Sequence, residues 1–175
     1  GAVAVTLDDA YADALEGASP ILTAAGVPAT FFAVANACLH EEPFWWDALA
    51  ERLLGPGVRP AELIMRLDGE EHRFPTDSPE GRRVTHDVLH RRLVAGDAAA
   101  RDAVLAQLAK WAGGAALVSP RPLGTAGLRA LAARPGHAIG AHGLEHLALC
   151  QQPPEVQERE IAGSRRALES LLGAE

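Results

Sequence analysis

The chain alternates short apolar runs with amphipathic segments. Residues 2–7 and 27–35 are apolar runs of the length and composition of buried strands, and a short helix is expected between them at 21–25. Ser19 is the expected N-cap of that helix, followed by Pro20 and ended by Gly26. A strand, a helix and a second strand within about 35 residues are typical of a parallel α/β layout.

The middle of the chain, residues 36–118, has a different pattern that predicts mostly helical structure. Its expected elements are helices at 44–54, 78–94 and 97–111, capped in the last two cases by Ser78 and Asp97, and a hairpin of strands 63–68 and 70–74. Because 175 residues fit one hydrophobic core, we interpret this stretch as a long insertion within a single domain that spans 1–175.

The last third of the chain returns to the α/β alternation. The pattern predicts a helix at 125–134, a strand at 137–141, a polar loop at 142–152 and a final helix that begins at Pro153-Pro154 and runs to about 172. The predicted fold class is therefore α/β with a parallel sheet.

Charge and composition exclude several classes of function. The formal charge is −7, so the basic stripe of a nucleic-acid-binding protein is absent from the sequence. No apolar stretch approaches the ~20 residues that span a bilayer. No basic leader with a long apolar segment precedes Asp8, which favours a cytoplasmic location, with association with the cell envelope as the alternative. Cys38 and Cys150 are expected to be free thiols.

Two adjacent carboxylates, Asp8 and Asp9, follow the first predicted strand. Ligand sites of parallel α/β proteins lie at the carboxyl ends of the strands. One of the two carboxylates would face inward, which is unfavourable unless it is paired or binds a metal. A helix cap beside a solvated acid at a strand–loop junction remains the alternative.

Two histidines, His142 and His146, follow the strand predicted at 137–141. Imidazole is a common metal ligand, and this spacing brings both rings to one side of a helical or tight turn. Two unrelated exposed histidines are the alternative, and the other five histidines are expected at the surface or in packing. One carboxylate and both imidazoles would supply three ligands of a catalytic metal site, leaving the second carboxylate as a general base.

The segments around these residues resemble the polysaccharide deacetylases, which form carbohydrate esterase family 4. The similar segments are Thr6-Leu7-Asp8-Asp9-Ala10-Tyr11 (family wording T-F-D-D-G-x), Gly26-Val27-Pro28-Ala29-Thr30-Phe31-Phe32 (G-V-P-A-T-F-F), and Ile139-Gly140-Ala141 with His142 to His146 (H-[ST]-x-x-H). The final helix is also similar, and Phe44-Trp45-Trp46-Asp47 with the helical insertion resembles one bacterial subgroup. Ala10 stands where the family usually has Gly, and Gly143 where it has Ser or Thr.

The resemblance implies a partial, distorted parallel (β/α) barrel and a metal-dependent hydrolase. Its substrate would be an acetylated carbohydrate, from which N-acetyl or, less often, O-acetyl groups are removed by a metal-bound water. By position, Asp8 would be the general base, and Asp9, His142 and His146 would hold the divalent metal. Zn²⁺ is the expected ion, with Co²⁺, Ni²⁺, Mn²⁺ and Fe²⁺ as alternatives.

Two other functions remain open at this point. The later motifs of the family do not occur in the sequence, which favours a catalytically silent relative that binds a metal or a glycan. A Mg²⁺-dependent phosphatase would explain the paired aspartates but would leave both histidines without a role.

Residues that could contact the substrate are more weakly indicated. Tyr11, Trp45 and Trp46 could stack on sugar rings, and Asn36 could face the site. That Trp45 or Trp46 packs the insertion onto the barrel is at least as good an interpretation. Glu145 is expected to point to solvent.

Overall fold

The computed structural model describes residues 1–173. These residues form two compact units, one made of Gly1–Glu42 with the chain from Pro120 onward, and the other of Pro43–Ser119. The elements in chain order are β1 Val5–Leu7, α1 Ser19–Ala24, β2 Ala29–Ala33, α2 Ala35–His40, α3 Trp45–Leu54, β3 Glu62–Leu67, β4 Glu70–Pro75, α4 Pro79–Ala95, α5 Ala98–Trp111, α6 Thr125–Ala132, β5 His137–Ala141 and α7 Pro154–Leu172.

The first unit is built on a three-stranded parallel sheet with the order β1-β2-β5. Leu7, Phe31 and Ile139 are aligned across it, so the carboxyl ends of all three strands lie at one edge. The predicted mixed α/β class is confirmed. The sheet formed by residues 1–173 is not closed into a barrel, and the deacetylase type of barrel stays a prediction.

One face of this sheet carries the core of the first unit. Phe31 lies at its centre, fully buried, where it packs with buried residues of α6 and α7 such as Leu128 and Leu168. The opposite face of β2 carries Thr30 and Phe32, which are only half-buried. Successive side chains of a strand point to opposite faces of the sheet, which explains why Phe31 is buried and its neighbour Phe32 is only half-buried.

Replacing Phe31 by alanine is expected to lower the free energy of unfolding by about 3–5 kcal/mol, because a buried ring is lost and a cavity remains. Phe32→Ala is the matched control on the other face of the same strand, and a smaller loss is expected since that ring is half-buried. Urea denaturation followed by circular dichroism measures both variants. Equal losses would contradict the assignment of the core to the Phe31 face.

Several predicted boundaries are wrong at the start of the chain. The first strand begins at Val5 rather than at residue 2. The second spans Ala29–Ala33 rather than 27–35, because the chain enters helix α2 at Ala35. That short helix was not predicted.

The predicted N-cap role of Ser19 is also wrong. A π-helical turn, Ala14–Ala18, leads directly into α1, so Ser19 already has helical backbone angles. Its buried hydroxyl instead lies 2.8 Å from Nε2 of His137 and accepts a hydrogen bond of 2.8 Å from Arg134. A tertiary contact has replaced the local cap.

The second unit combines helices α3, α4 and α5 with the antiparallel hairpin β3–β4. The hairpin and the caps agree with the sequence: the Ser78 side chain accepts from Gly81 N–H, and that of Asp97 from Ala100 N–H. The buried core of this unit consists of Leu49, Leu53, Leu63, Met65, Leu67, Leu89, Leu93, Val104 and Leu108.

Candidate metal centre

The edge of the parallel sheet brings the two polar segments together. Asp9 follows β1, where the chain turns with φ of 68° at Asp9 and 55° at Ala10. His142 directly follows β5, and its N–H donates to Ala33 O at 2.9 Å, which continues the pairing with β2 by one residue. Strands that run in parallel therefore deliver an acidic residue and a histidine to the same edge.

Three side chains converge at this edge. Asp9 Oδ1 lies 3.5 Å from Nε2 of His142 and 3.4 Å from Nε2 of His146. One ligand atom of each residue lies within 4.8 Å of those of the other two. Asp9 Oδ1 is itself buried and has no hydrogen-bond partner among residues 1–173. Two imidazole nitrogens and an orphaned carboxylate oxygen fit a divalent cation, since this is a donor set of zinc and related ions.

The loop between the histidines is held by helix α2. Ala35 N–H donates to Gly143 O at 3.1 Å, and Asn36 N–H donates to Leu144 O at 3.2 Å. These are N–H groups of the first turn of α2, which have no partner within the helix. The carbonyl groups of the loop therefore satisfy the helix start, and the helix in turn fixes the loop.

Asn36 and Glu145 contact each other, which corrects one expectation. The Asn36 Nδ2 group donates to Glu145 Oε1, so Glu145 is half-buried and does not simply point to solvent. Asn36 thus contacts the loop of the candidate site with both its backbone and its side chain. Its predicted contact with substrate stays a prediction.

Glu160, on α7, is a component of the site that sequence reasoning missed. Its side chain is fully buried, and Oε2 accepts hydrogen bonds of 3.0 Å from Leu144 N–H and from Glu145 N–H. The available signal was its position on the buried stripe of α7, at a spacing of four residues from Ser164 and eight from Leu168. A charged residue on such a stripe indicates a specific buried partner.

Asp8 is the predicted general base. Its side chain is exposed, and its carbonyl oxygen accepts from Ala10 N–H at 2.9 Å. It is not one of the three clustered ligands. An exposed carboxylate adjacent to a candidate metal ligand is accessible to solvent, and the role of general base stays a prediction.

The aromatic residues predicted to contact substrate lie in different units. Tyr11 forms an isolated antiparallel bridge with Pro122 in the first unit. Trp45 and Trp46 belong to the second unit, where Trp46 stacks on Phe44 with ring centroids 4.5 Å apart. Trp45 packs against the core of that unit. Packing is thus what the structure shows for both tryptophans, and stacking on a sugar stays a prediction.

The cysteines are free, as predicted. Burial, with a smaller effect from the Glu41 carboxylate, raises the pKa of the Cys38 thiol to about 11. This thiol therefore stays protonated at neutral pH.

None of the helices among residues 1–173 is long and apolar enough to cross a membrane. Compared with models of protein families, with curated proteins and with solved structures, the chain matches none. A functional hypothesis therefore rests on the geometry of the candidate metal centre and on the sequence motifs.

Proposed function

We propose that the protein is a metal-dependent hydrolase that removes acetyl groups from an acetylated carbohydrate. The observation that carries the proposal is the buried Oδ1 of Asp9, which accepts no hydrogen bond from residues 1–173 and lies within 3.5 Å of two imidazole nitrogens. The chemical class of the substrate comes from the resemblance of the three motifs to polysaccharide deacetylases.

Asp9, His142 and His146 would hold the cation, for which Zn²⁺ is the first choice. A divalent metal in such a site polarises a carbonyl oxygen and lowers the pKa of bound water. Three protein ligands would leave a position open for water or substrate, as in catalytic rather than structural zinc sites.

Asp8 would take up a proton during the reaction. Hydrolysis forms a bond between a water oxygen and the acetyl carbon, and breaks the bond from that carbon to the sugar nitrogen. The departing nitrogen takes up a proton from solvent, so that acetate and a free amine result. The exposed carboxylate of Asp8, next to a ligand of the cation, is placed to accept the proton that the water releases.

The test is acetate release from an N-acetylated glucosamine oligomer and from an O-acetylated xylan. The protein is assayed as purified, after removal of metal with dipicolinate, and after addition of Zn²⁺. Acetate release that falls to background on chelation and returns with Zn²⁺ is expected.

Two results would overturn this function. Bound metal without acetate release from either substrate would indicate a binding protein instead. Release of phosphate from p-nitrophenyl phosphate without release of acetate would indicate a phosphatase.

A further inference from the structure

We infer that Glu160 is a positioning residue for the metal centre. Its carboxylate holds the loop between His142 and His146 in the conformation that presents both imidazole rings to Asp9. The effect on metal affinity rests on the proposed function, whereas the effect on the loop itself does not.

Burial of the Glu160 carboxylate requires an explanation. The side chain is fully buried in the first unit, and among residues 1–173 no ion pair involves it. Removing a carboxylate from water is strongly unfavourable unless hydrogen bonds compensate. The hydrogen bonds that Oε2 accepts from Leu144 N–H and Glu145 N–H compensate one carboxylate oxygen, whereas Oε1 is buried and has no hydrogen-bond partner among residues 1–173.

These hydrogen bonds complete the fixation of two successive peptide groups. The peptide group that joins Gly143 and Leu144 accepts from α2 at its oxygen and donates to Glu160 at its nitrogen. The next peptide group, between Leu144 and Glu145, is bonded in the same way at both ends. Since the two ligand histidines flank this pair of peptide groups, their backbone positions depend on it.

Gly143 allows the carboxylate to approach the loop. Its φ is +82°, and a Cβ at this position would lie 3.1 Å from Glu160 Oε2. A side chain there would be strained by the backbone angle and would also press on the carboxylate. The glycine in place of the family's Ser or Thr therefore agrees with support of the loop by a carboxylate from α7.

Three variants separate the positioning role from a general effect on α7. Glu160→Leu removes both carboxylate oxygens and puts an apolar side chain of similar size in their place. Glu160→Gln keeps one oxygen that can accept from both amides. Ser164→Ala is the matched control, because Ser164 is a buried polar residue one turn further along α7, and its hydroxyl donates to Ile161 O within that helix.

The first measurement is hydrogen exchange of the Leu144 and Glu145 amides by NMR in metal-free protein. The wild type, Glu160→Gln and Ser164→Ala should protect both amides, and Glu160→Leu should lose the protection. The second measurement is Co²⁺ affinity from its visible absorption. Glu160→Leu should bind Co²⁺ about 10–100-fold more weakly, as on losing an outer-shell contact, whereas Glu160→Gln should stay within a few-fold of wild type.

The inference would be overturned if folded Glu160→Leu kept both amides protected and its Co²⁺ affinity unchanged. It would also be overturned if Ser164→Ala lost as much amide protection and Co²⁺ affinity as Glu160→Leu. If Glu160→Leu does not fold, the wild type decides, because rapid exchange of both amides there would contradict the hydrogen bonds to Glu160. If wild type binds no Co²⁺, the proposed function fails, and the amide measurement still decides the role of Glu160.

Discussion

Replacing His142 and His146 together by alanine is expected to abolish binding of a divalent metal. The two imidazoles supply two of the three ligand atoms that converge at the sheet edge. Asp9 alone would remain, and a single carboxylate binds Zn²⁺ weakly in water. Metal content by mass spectrometry, on protein purified without a histidine tag, should fall from about one equivalent to none.

The second unit offers a matched control for this variant. His86 and His90 have the same spacing on α4, and their rings stack with centroids 5.7 Å apart. They do not belong to a three-ligand cluster in the part of the chain that the structure describes. His86→Ala/His90→Ala should therefore keep the metal. Equal metal content in both double variants would refute the assignment of the centre to the sheet edge.

Asp8→Asn is expected to keep the metal and to lose acetate release by roughly 10²–10⁴-fold, the usual contribution of a general base. Asparagine preserves the size of the side chain but cannot take up the proton. Because Asp8 is exposed and is not one of the three clustered ligands, the metal content should stay near that of wild type. Both quantities are measured on the same preparation, as kcat/KM and as metal per chain.

Asp13→Asn provides the comparison for the loss of one negative charge, since Asp13 is an exposed acid five residues away. It should leave both quantities unchanged. Undiminished acetate release in Asp8→Asn would reject the role of general base. Loss of metal in Asp8→Asn would instead place Asp8 among the groups that hold the cation.

Local chemistry explains which elements could be predicted from sequence. The hairpin is predictable because Gly69 separates two strand-forming runs. The strand at 137–141 is predictable because it precedes a polar loop where the α/β alternation returns. Ser78 and Asp97 act as caps because their partners are amides three residues away. By contrast, Ser19 has the same Ser-Pro pattern as Ser78, but a π-helical turn at Ala14–Ala18 runs directly into α1, and the Ser19 hydroxyl contacts His137, which is distant in sequence.

The candidate ligands were predictable for a related reason. Asp9, His142 and His146 follow strands of one parallel sheet, and strand direction alone indicates that they meet at one edge. The sequence could not indicate that Asp9 Oδ1 would be buried without a hydrogen bond from the part of the chain that the structure describes. That property depends on how closely the surrounding loops pack.

The sequence by itself determined the α/β class, most of the helices and strands, and the residues that can ligate a metal, because these depend on periodicity and on neighbours in the chain. Only the tertiary structure decided how the loop between His142 and His146 is held. The loop is supported by the first turn of α2, which lies about 100 residues earlier in the chain, and by the carboxylate of Glu160 on α7, the helix that follows the loop. Hydrogen bonds of this kind depend on packing between elements. The position of Glu160 on the buried stripe of α7 indicates a buried partner, but the sequence does not identify that partner.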